Sequence, residues 1–516
     1  MMRKLSEHFL FDSRHLDGDL ARKSVQGGMT VLGAEGMRFA LRLVGTMVLA
    51  RLLTPFDYGL IGMVMVVVNF AQMFKDAGLS MATVQKDRIT AEQISALFWL
   101  NALISGLLGV GVLVCSPLVS MFYGRPELTA VTAVLSLSFL IEGLAIQHQA
   151  LLRRHVQFHR LAIITVASQL VGMLITIALA LLGWRHWALV GGSLTHALAS
   201  TLLTFYLCPW MPGRFRRGTG IRDMIGFGGN LTGFNIATYF SQNADNLLIG
   251  SYLGADALGI YTRAYHLFMM PVTQIRNPLC QVAMPVLSSL RSQPERYANY
   301  YQRVLDCMAS CTIPMALYCL LDGDFLIRVF LGSQWTAVVP VFRILAVAGI
   351  VRAIAGTRGL VLMSSGFSRR LLYFGAFNSV LNVASFAVGI PFGIEGVASA
   401  YAVANYAILL PSLFYCFHGT PVRVSMFVKT LLPPALVSVA AGLAFLGVAQ
   451  LLQNDGIAAH CVSVSLYCAI YMTLSCLRPQ VRETVGLFVK TVASAWPAKI
   501  GLGLREAAAV PKAIVK

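Results

Sequence analysis

Arg38 and Arg42 stand four residues apart in an apolar stretch, so a helix carries both on one face, with Glu35 one turn before them. They belong to a group of cations that fall inside apolar segments: Arg38, Arg42, Lys75, Arg263, Arg276, Arg343, Arg352 and Arg358. A charged side chain at the centre of a membrane helix costs about 2.5–3.5 kcal/mol on insertion scales, so such residues face a polar cavity or reach for the interface. Lys75, Arg343 and Arg358 lie near segment ends and are expected to snorkel. Arg38, Arg42, Arg276 and Arg352 lie mid-segment and are expected to line a cavity. A Glu35–Arg38 pair neutralises one cation and leaves Arg42 free. Among the few other acids, Asp76, Glu142 and Asp245 are placed to balance charge. The surplus is positive. Guanidinium forks match phosphate oxygens bidentately, which points to an anionic, phosphorylated ligand.

Asp245, between Asn243 and Asn246, is an acid in an apolar stretch. It could carry a proton or sodium ion for coupling, or balance an arginine; both readings stay open. Just before it, Asn230, Asn235, Gly228, Gly229 and Gly233 make a polar, bendable segment, and the three glycines are the candidate hinge. No metal site is expected: the ten cysteines are scattered singly, and His155 and His159 sit in a basic loop without acids.

The elements that position these residues are membrane helices. Hydrophobic residues make up 57% of the 516-residue chain and charged ones 12%, about half the share of a soluble domain, with a mean hydropathy of +0.70. Apolar runs of about twenty residues match the roughly 30 Å of a bilayer core. Fourteen spans are expected, near 24–52, 57–79, 95–119, 129–150, 161–183, 187–207, 225–252, 259–287, 304–330, 337–360, 371–390, 396–417, 428–451 and 457–477. The net charge of +18 fits basic loops on one side of a membrane better than nucleic acid binding. With the N-terminus inside, the far side keeps only Arg51, Arg125, Arg185 and Arg328 of the loop cations, so both termini are expected in the cytoplasm. The segment before the first span, with Asp12, Asp17 and Asp19, does not resemble a cleavable signal peptide.

The chain also repeats itself. Leu53-Thr54-Pro55-Phe56-Asp57-Tyr58-Gly59-Leu60-Ile61 returns as Leu253-Gly254-Ala255-Asp256-Ala257-Leu258-Gly259-Ile260-Tyr261. Weaker echoes link Tyr123-Gly124 with Leu331-Gly332, and Gln157-Phe158-His159-Arg160 with Gly366-Phe367-Ser368-Arg369. Six spans separate the two turns, so the repeat is parallel, about an axis along the membrane normal. The expected organisation is all-α and polytopic. It comprises a cytoplasmic segment 1–23, an N-lobe of six spans at 24–207, a basic linker at 208–224 and a C-lobe of six spans at 225–417. Two extra spans at 418–477 and a cytoplasmic tail at 478–516 complete it. The tail places Val485, Phe488, Val489, Val492 and Trp496 roughly at helical spacing, a pattern suited to a membrane surface.

Catalysis is not expected. The chain lacks the phosphate-binding pattern GxxxxGK[ST] that ATP hydrolysis needs, and the far-side loops are too short for an enzyme site; Asp322 and Asp324 are the one close acid pair near that face.

The Leu53–Leu60 turn, the stretch Asn243-Ala244-Asp245-Asn246-Leu247-Leu248-Ile249-Gly250 leading into Leu253–Tyr261, and Leu331-Gly332-Ser333-Gln334-Trp335 together resemble bacterial polysaccharide transporters. These are flippases of the multidrug/oligosaccharidyl-lipid/polysaccharide exporter superfamily, and the chain looks most like the fourteen-span exopolysaccharide flippases of the colanic-acid or xanthan type. The resemblance covers roughly residues 20–420. It implies two six-helix lobes in a V, alternating access in the inner membrane, and a substrate of undecaprenyl pyrophosphate carrying one oligosaccharide repeat unit for exopolysaccharide or lipopolysaccharide synthesis. It further implies contact with membrane lipids, no resident cofactor, and handover to a polymerase and export machinery. It carries over no individual arginine. Two alternatives share the fold: a cation-coupled multidrug exporter, which would bury acids rather than arginines, and a peptidoglycan-precursor flippase.

Overall fold

The computed structural model describes residues 20–76, 79–85, 89–214, 239, 243–452 and 457–476. Within lipid, the backbone's polar groups must be satisfied inside each segment, and the apolar runs accordingly form helices; no strand occurs among the described residues. In the first half these are α1 (Leu20–Leu52), α2 (Pro55–Lys75), the short α3 (Leu79–Gln85), α4 (Ala91–Tyr123), α5 (Glu127–Gly143), α6 (Ile146–Arg154), α7 (Phe158–Leu181) and α8 (His186–Leu207). A helical segment at 243–252 opens the described part of the second half. There follow α9 (Gly254–Ser289), α10 (Pro294–Leu321), α11 (Gly323–Phe330), α12 (Val338–Ala355), α13 (Thr357–Ser364), α14 (Ser368–Gly389) and α15 (Gly393–Phe417). The last hairpin is α16 (Val424–Leu452) and α17 (Ile457–Cys476). Nine helical stretches among the described residues are long and apolar enough to cross a membrane. The chain is an all-α, multi-pass membrane protein, and its described residues form two similar six-helix bundles with an appended hairpin. Apolar side chains such as Val114 and Met121, 69% and 77% exposed, mark the faces turned to lipid.

The repeat is visible in how the helices break. In the first half one span is interrupted between α5 and α6; in the second it is interrupted at the corresponding place, between α12 and α13. The turn after each break is built alike. His155, Val156 and Gln157 donate their N–H groups to Leu151, Arg153 and Leu152, while Ser365, Gly366 and Phe367 donate to Val361, Met363 and Leu362. This corrects the register of one echo by a residue: Val156 corresponds to Gly366, and Gln157 to Phe367. Val156 adopts a φ of 56° and Gly366 one of 79°.

Some boundaries depart from the apolar pattern. α10 begins at Pro294, ten residues before the expected apolar edge, because its polar first turns find partners inside the protein. Tyr297 lies 2.6 Å from the Ser364 hydroxyl and Tyr301 2.8 Å from that of Thr357, both tyrosines fully buried. The same helix ends at Asp322, which accepts a hydrogen bond from Tyr318 at 2.9 Å and lies 3.3 Å from His460 of α17. Asp324 instead pairs with Arg328 at 2.6 Å, so each of these two acids has its own partner. The start of the linker is also tied down. Gly213 donates to Ser95 and accepts from the Trp99 indole, and Trp210 is buried beside Phe98 and His148. Cys208 is buried there too, and burial pushes its thiol up from the ordinary value, as for a packing residue.

The two copies of the repeated turn pack against each other. A Cβ on Gly59 would lie 1.8 Å from the Ala255 carbonyl oxygen, and a Cβ on Gly259 would lie 1.9 Å from that of Pro55. Pro55 and Ala255 occupy the same place in the two copies, so the contact is reciprocal, as a twofold axis requires. Thr54 caps α2, with its N–H donating to Asp57 at 3.0 Å, and the His186 N–H donates to the same carboxylate at 3.1 Å. Around this contact the N-lobe is sealed to the second half. Trp335 donates its indole N–H to the Ala50 carbonyl at 2.7 Å, Gln334 donates to that of Leu53 at 3.2 Å, and Arg51 donates to that of Val329 at 3.0 Å.

Candidate functional site

Beneath this seal the lobes part around a cavity of about 800 Å³, near the top of the roughly 300–1,000 Å³ of small-molecule sites. A further space of about 470 Å³ shares Arg42, Thr46, Arg263, Tyr265, His266 and Arg352 with it, so the two are continuous. One wall comes from α1, α2, α5, α7 and α8; the other comes from segment 243–252, α9 and α12.

Three of the four singled-out arginines reach this space. Arg42 and Arg352 border both parts of it, and Arg276 borders the smaller. Arg38 does not. Its guanidinium lies 2.6 Å from Glu35, as the spacing suggested, and donates through Nε to Gln169 at 3.3 Å. Arg263, one of the eight cations within apolar segments but not among the four singled out, joins the group. Its guanidinium lies over the Tyr58 ring at 3.8 Å, across the lobe boundary, and its Nε has no hydrogen-bond acceptor. Its place nine residues after the start of α9 was the available signal, since Arg42 stands ten residues before the end of α1. Both therefore sit at one depth, roughly 14–15 Å from the sealed end; Arg352 lies at roughly 21 Å and Arg276 at roughly 33 Å.

The charge around these groups is not balanced. The guanidinium groups of Arg42 and Arg276 make no hydrogen bond or ion pair among the described residues. Arg352 donates to the Tyr401 hydroxyl and lies over the rings of Tyr265 and Tyr401 at 5.4 and 5.6 Å. Of the acids, Glu142 borders the cavity but is paired with Lys75. Lys75 thus finds an acid inside the bundle instead of snorkelling. Arg358 is also buried, donating to the Ala355 carbonyl and to Ser412. Asp245 borders the cavity too, buried and accepting from the Tyr261 hydroxyl at 3.1 Å and the Asn246 N–H at 2.8 Å. The candidate hinge residues Gly228, Gly229 and Gly233 lie outside the described residues. Among the described residues no group of acids, histidines and cysteines could hold a metal ion.

Two alike bundles, a shared cavity and a seal at one end define a multi-pass membrane transporter. The family model described as "Polysaccharide biosynthesis protein" matches residues 48–340, more than half the chain, and the chain belongs to that family. It is 27% identical to the teichuronic acid biosynthesis protein TuaB of Bacillus subtilis over 73% of this chain and 79% of that one. It is 24% identical to the lipopolysaccharide biosynthesis protein WzxC of Escherichia coli, over 72% and 76%. The succinoglycan biosynthesis transport protein ExoT of Rhizobium meliloti is 25% identical, over 62% and 65%. Among solved structures, the lipid II flippase MurJ in an inward closed conformation superposes with a TM-score of 0.68, covering 91% of this chain and all of that one at 13% identity. An inward-facing multidrug resistance MATE transporter of the MOP superfamily gives 0.58 over 76% and 95%, at 15% identity. At these identities the two structures establish the fold alone. The chain is a transporter of polysaccharide biosynthesis and not an enzyme.

Proposed function

We propose that this protein flips undecaprenyl-pyrophosphate-linked oligosaccharide repeat units across the bacterial inner membrane by alternating access. The observation that carries this reading is the set of guanidinium groups drawn from both lobes and facing one cavity, of which Arg42, Arg263 and Arg276 have no ion pair among the described residues. A cation within a membrane span is costly unless a polar cavity or a ligand accommodates it, and a pyrophosphate supplies the charge and the oxygens that planar forks match. With both termini in the cytoplasm, as the basic loops favour, the sealed end faces the periplasm. The pyrophosphate then meets Arg276 first and moves toward Arg352, Arg42 and Arg263. The lipid tail stays in the bilayer and the sugars enter the cavity. Rocking the lobes apart at the Gly59–Gly259 contact opens the sealed end, where a polymerase takes the unit. Asp245 and Glu142 offset charge in this cycle or carry a coupling ion.

Deleting the gene and assaying lipid-linked sugars on each membrane face tests the proposal. Complete repeat units held at the cytoplasmic face, with polymer lost, is the expected result. Unpolymerised units on the outer face would instead indicate a polymerase step, and normal polymer with altered drug sensitivity would indicate an exporter.

A further inference from the structure

The cavity lining divides in chemistry, and the division falls within the N-lobe wall. Guanidinium groups come from α1 and from the C-lobe, as described above. The rest of the N-lobe wall, on α2, α5, α7 and α8, presents polar groups without net charge: Asn69, Gln72, Ser138, Gln169, Ser193 and His196. Its one carboxylate, Glu142, is neutralised by Lys75. Ser138 and Ser193 donate to carbonyls of their own helices at 2.7 and 2.8 Å, which leaves oxygen lone pairs facing the cavity. Gln169 is held by Arg38 through its carbonyl and side chain. Asn69 and Gln72 are different. They lie three residues apart on one face of α2, are half-buried, and make no hydrogen bond among the described residues.

Half-exposed amides that make no hydrogen bond within the protein keep their donors and acceptors free for a ligand's hydroxyl groups. A wall of paired donors and acceptors without net charge does not favour phosphate over water. It does match neutral molecules whose every hydroxyl both donates and accepts. Asn69 and Gln72 lie roughly 21 and 26 Å along α2 from the sealed end, the depth of Arg352 across the cavity. The neutral wall therefore stands beside the cationic one, not beyond it.

We infer that the part of the N-lobe wall centred on Asn69 and Gln72 is the saccharide subsite, taking neutral hydroxyl-rich sugar rings while the pyrophosphate lies against the guanidinium groups of α1 and the C-lobe. This assignment rests on the flippase reading above.

The test uses the purified full-length chain in lipid nanodiscs with two probes. One is undecaprenyl pyrophosphate without sugar; the other is the lipid-linked saccharide pool extracted from a host lacking the gene. Changing Asn69→Leu together with Gln72→Leu keeps the side chains close in size and does not weaken the helix, but removes both amides. Affinity for the saccharide-bearing probe is expected to fall roughly 10- to 100-fold, with binding of the sugar-free lipid unchanged. The retained binding also reports an intact fold. The single change Gln72→Met is read in the same way, with a loss of about tenfold. If both probes weaken alike, or neither weakens, the wall is not the saccharide subsite. If the wild-type chain binds neither probe, the flippase reading falls and takes the subsite with it.

Discussion

Arg38 and Arg42 lie one helical turn apart on α1, yet the first is committed to Glu35 and Gln169 while the second faces the cavity unpaired. Their substitutions should therefore differ. Arg42→Ala or Arg352→Ala removes a charge-assisted contact to phosphate, worth about 1.5–3 kcal/mol, and should slow translocation roughly 10- to 100-fold. Arg42→Lys should fall between, because an ammonium keeps the charge but not the fork. Arg38→Ala should change the rate by no more than about twofold. Translocation of lipid-linked units in proteoliposomes measures all four, and equal losses for Arg38→Ala and Arg42→Ala would refute the division. A second residue-level expectation concerns Val156, a β-branched side chain at a positive φ where the matching position holds Gly366. Val156→Gly should raise the melting temperature of the purified protein, since the left-handed region costs an ordinary residue about 1–2 kcal/mol. An unchanged or lower melting temperature would mean that Val156 is unstrained. Which cations sit inside the membrane was legible in the sequence, because an arginine interrupting an apolar run needs no structure to be noticed. A local partner such as Glu35 for Arg38 was legible too, but distant ones were not: Lys75 and Glu142 are 67 residues apart, and only helix packing brings them together.

Helices were equally legible as apolar runs, but their interruptions were not. The breaks at α5–α6 and α12–α13 cut spans that read as continuous, since neither break introduces a charge or a proline. α9 carries Pro271, Pro278 and Pro285, seven residues apart and so close to one face. Each lacks the N–H that would bond four residues back, which weakens the ladder below the cavity. This gives a bendable helix among the described residues, independent of the glycines expected to act as a hinge. The reciprocal contact of α2 with α9 is the most demanding feature at this level, because each glycine meets backbone and not a side chain that could turn aside. Gly59→Ala or Gly259→Ala should destabilise the sealed arrangement by about 1–3 kcal/mol and shift the population toward the state open at that end. Spin labels placed on the two lobes near the seal would report this as longer distances. Unchanged distances in both variants would show that the contact has slack.

For the whole molecule, the parallel repeat announced two similar lobes, but not that its two copies touch. That pairing joins residues some two hundred positions apart, and no local pattern encodes it. The motif Leu331-Gly332-Ser333-Gln334-Trp335 likewise stood out in the sequence without a role; in the fold, Gln334 and Trp335 close the end of α1. These contacts are backbone-directed and cross the lobe boundary, so an alternating cycle must break them once per turnover. Arg51 and Val329 provide a place to hold them closed, because the Arg51 side chain already donates to the Val329 carbonyl at 3.0 Å. With the native cysteines replaced, Arg51→Cys and Val329→Cys joined by a short, reducible thiol cross-linker should stop translocation, and reduction should restore it. Binding of sugar-free undecaprenyl pyrophosphate should survive cross-linking, since the cavity arginines lie roughly 14–33 Å from the seal and are not touched by it. Transport that continues with the two residues joined would mean that this end never opens, and that the lipid head leaves by a route other than the lobe interface.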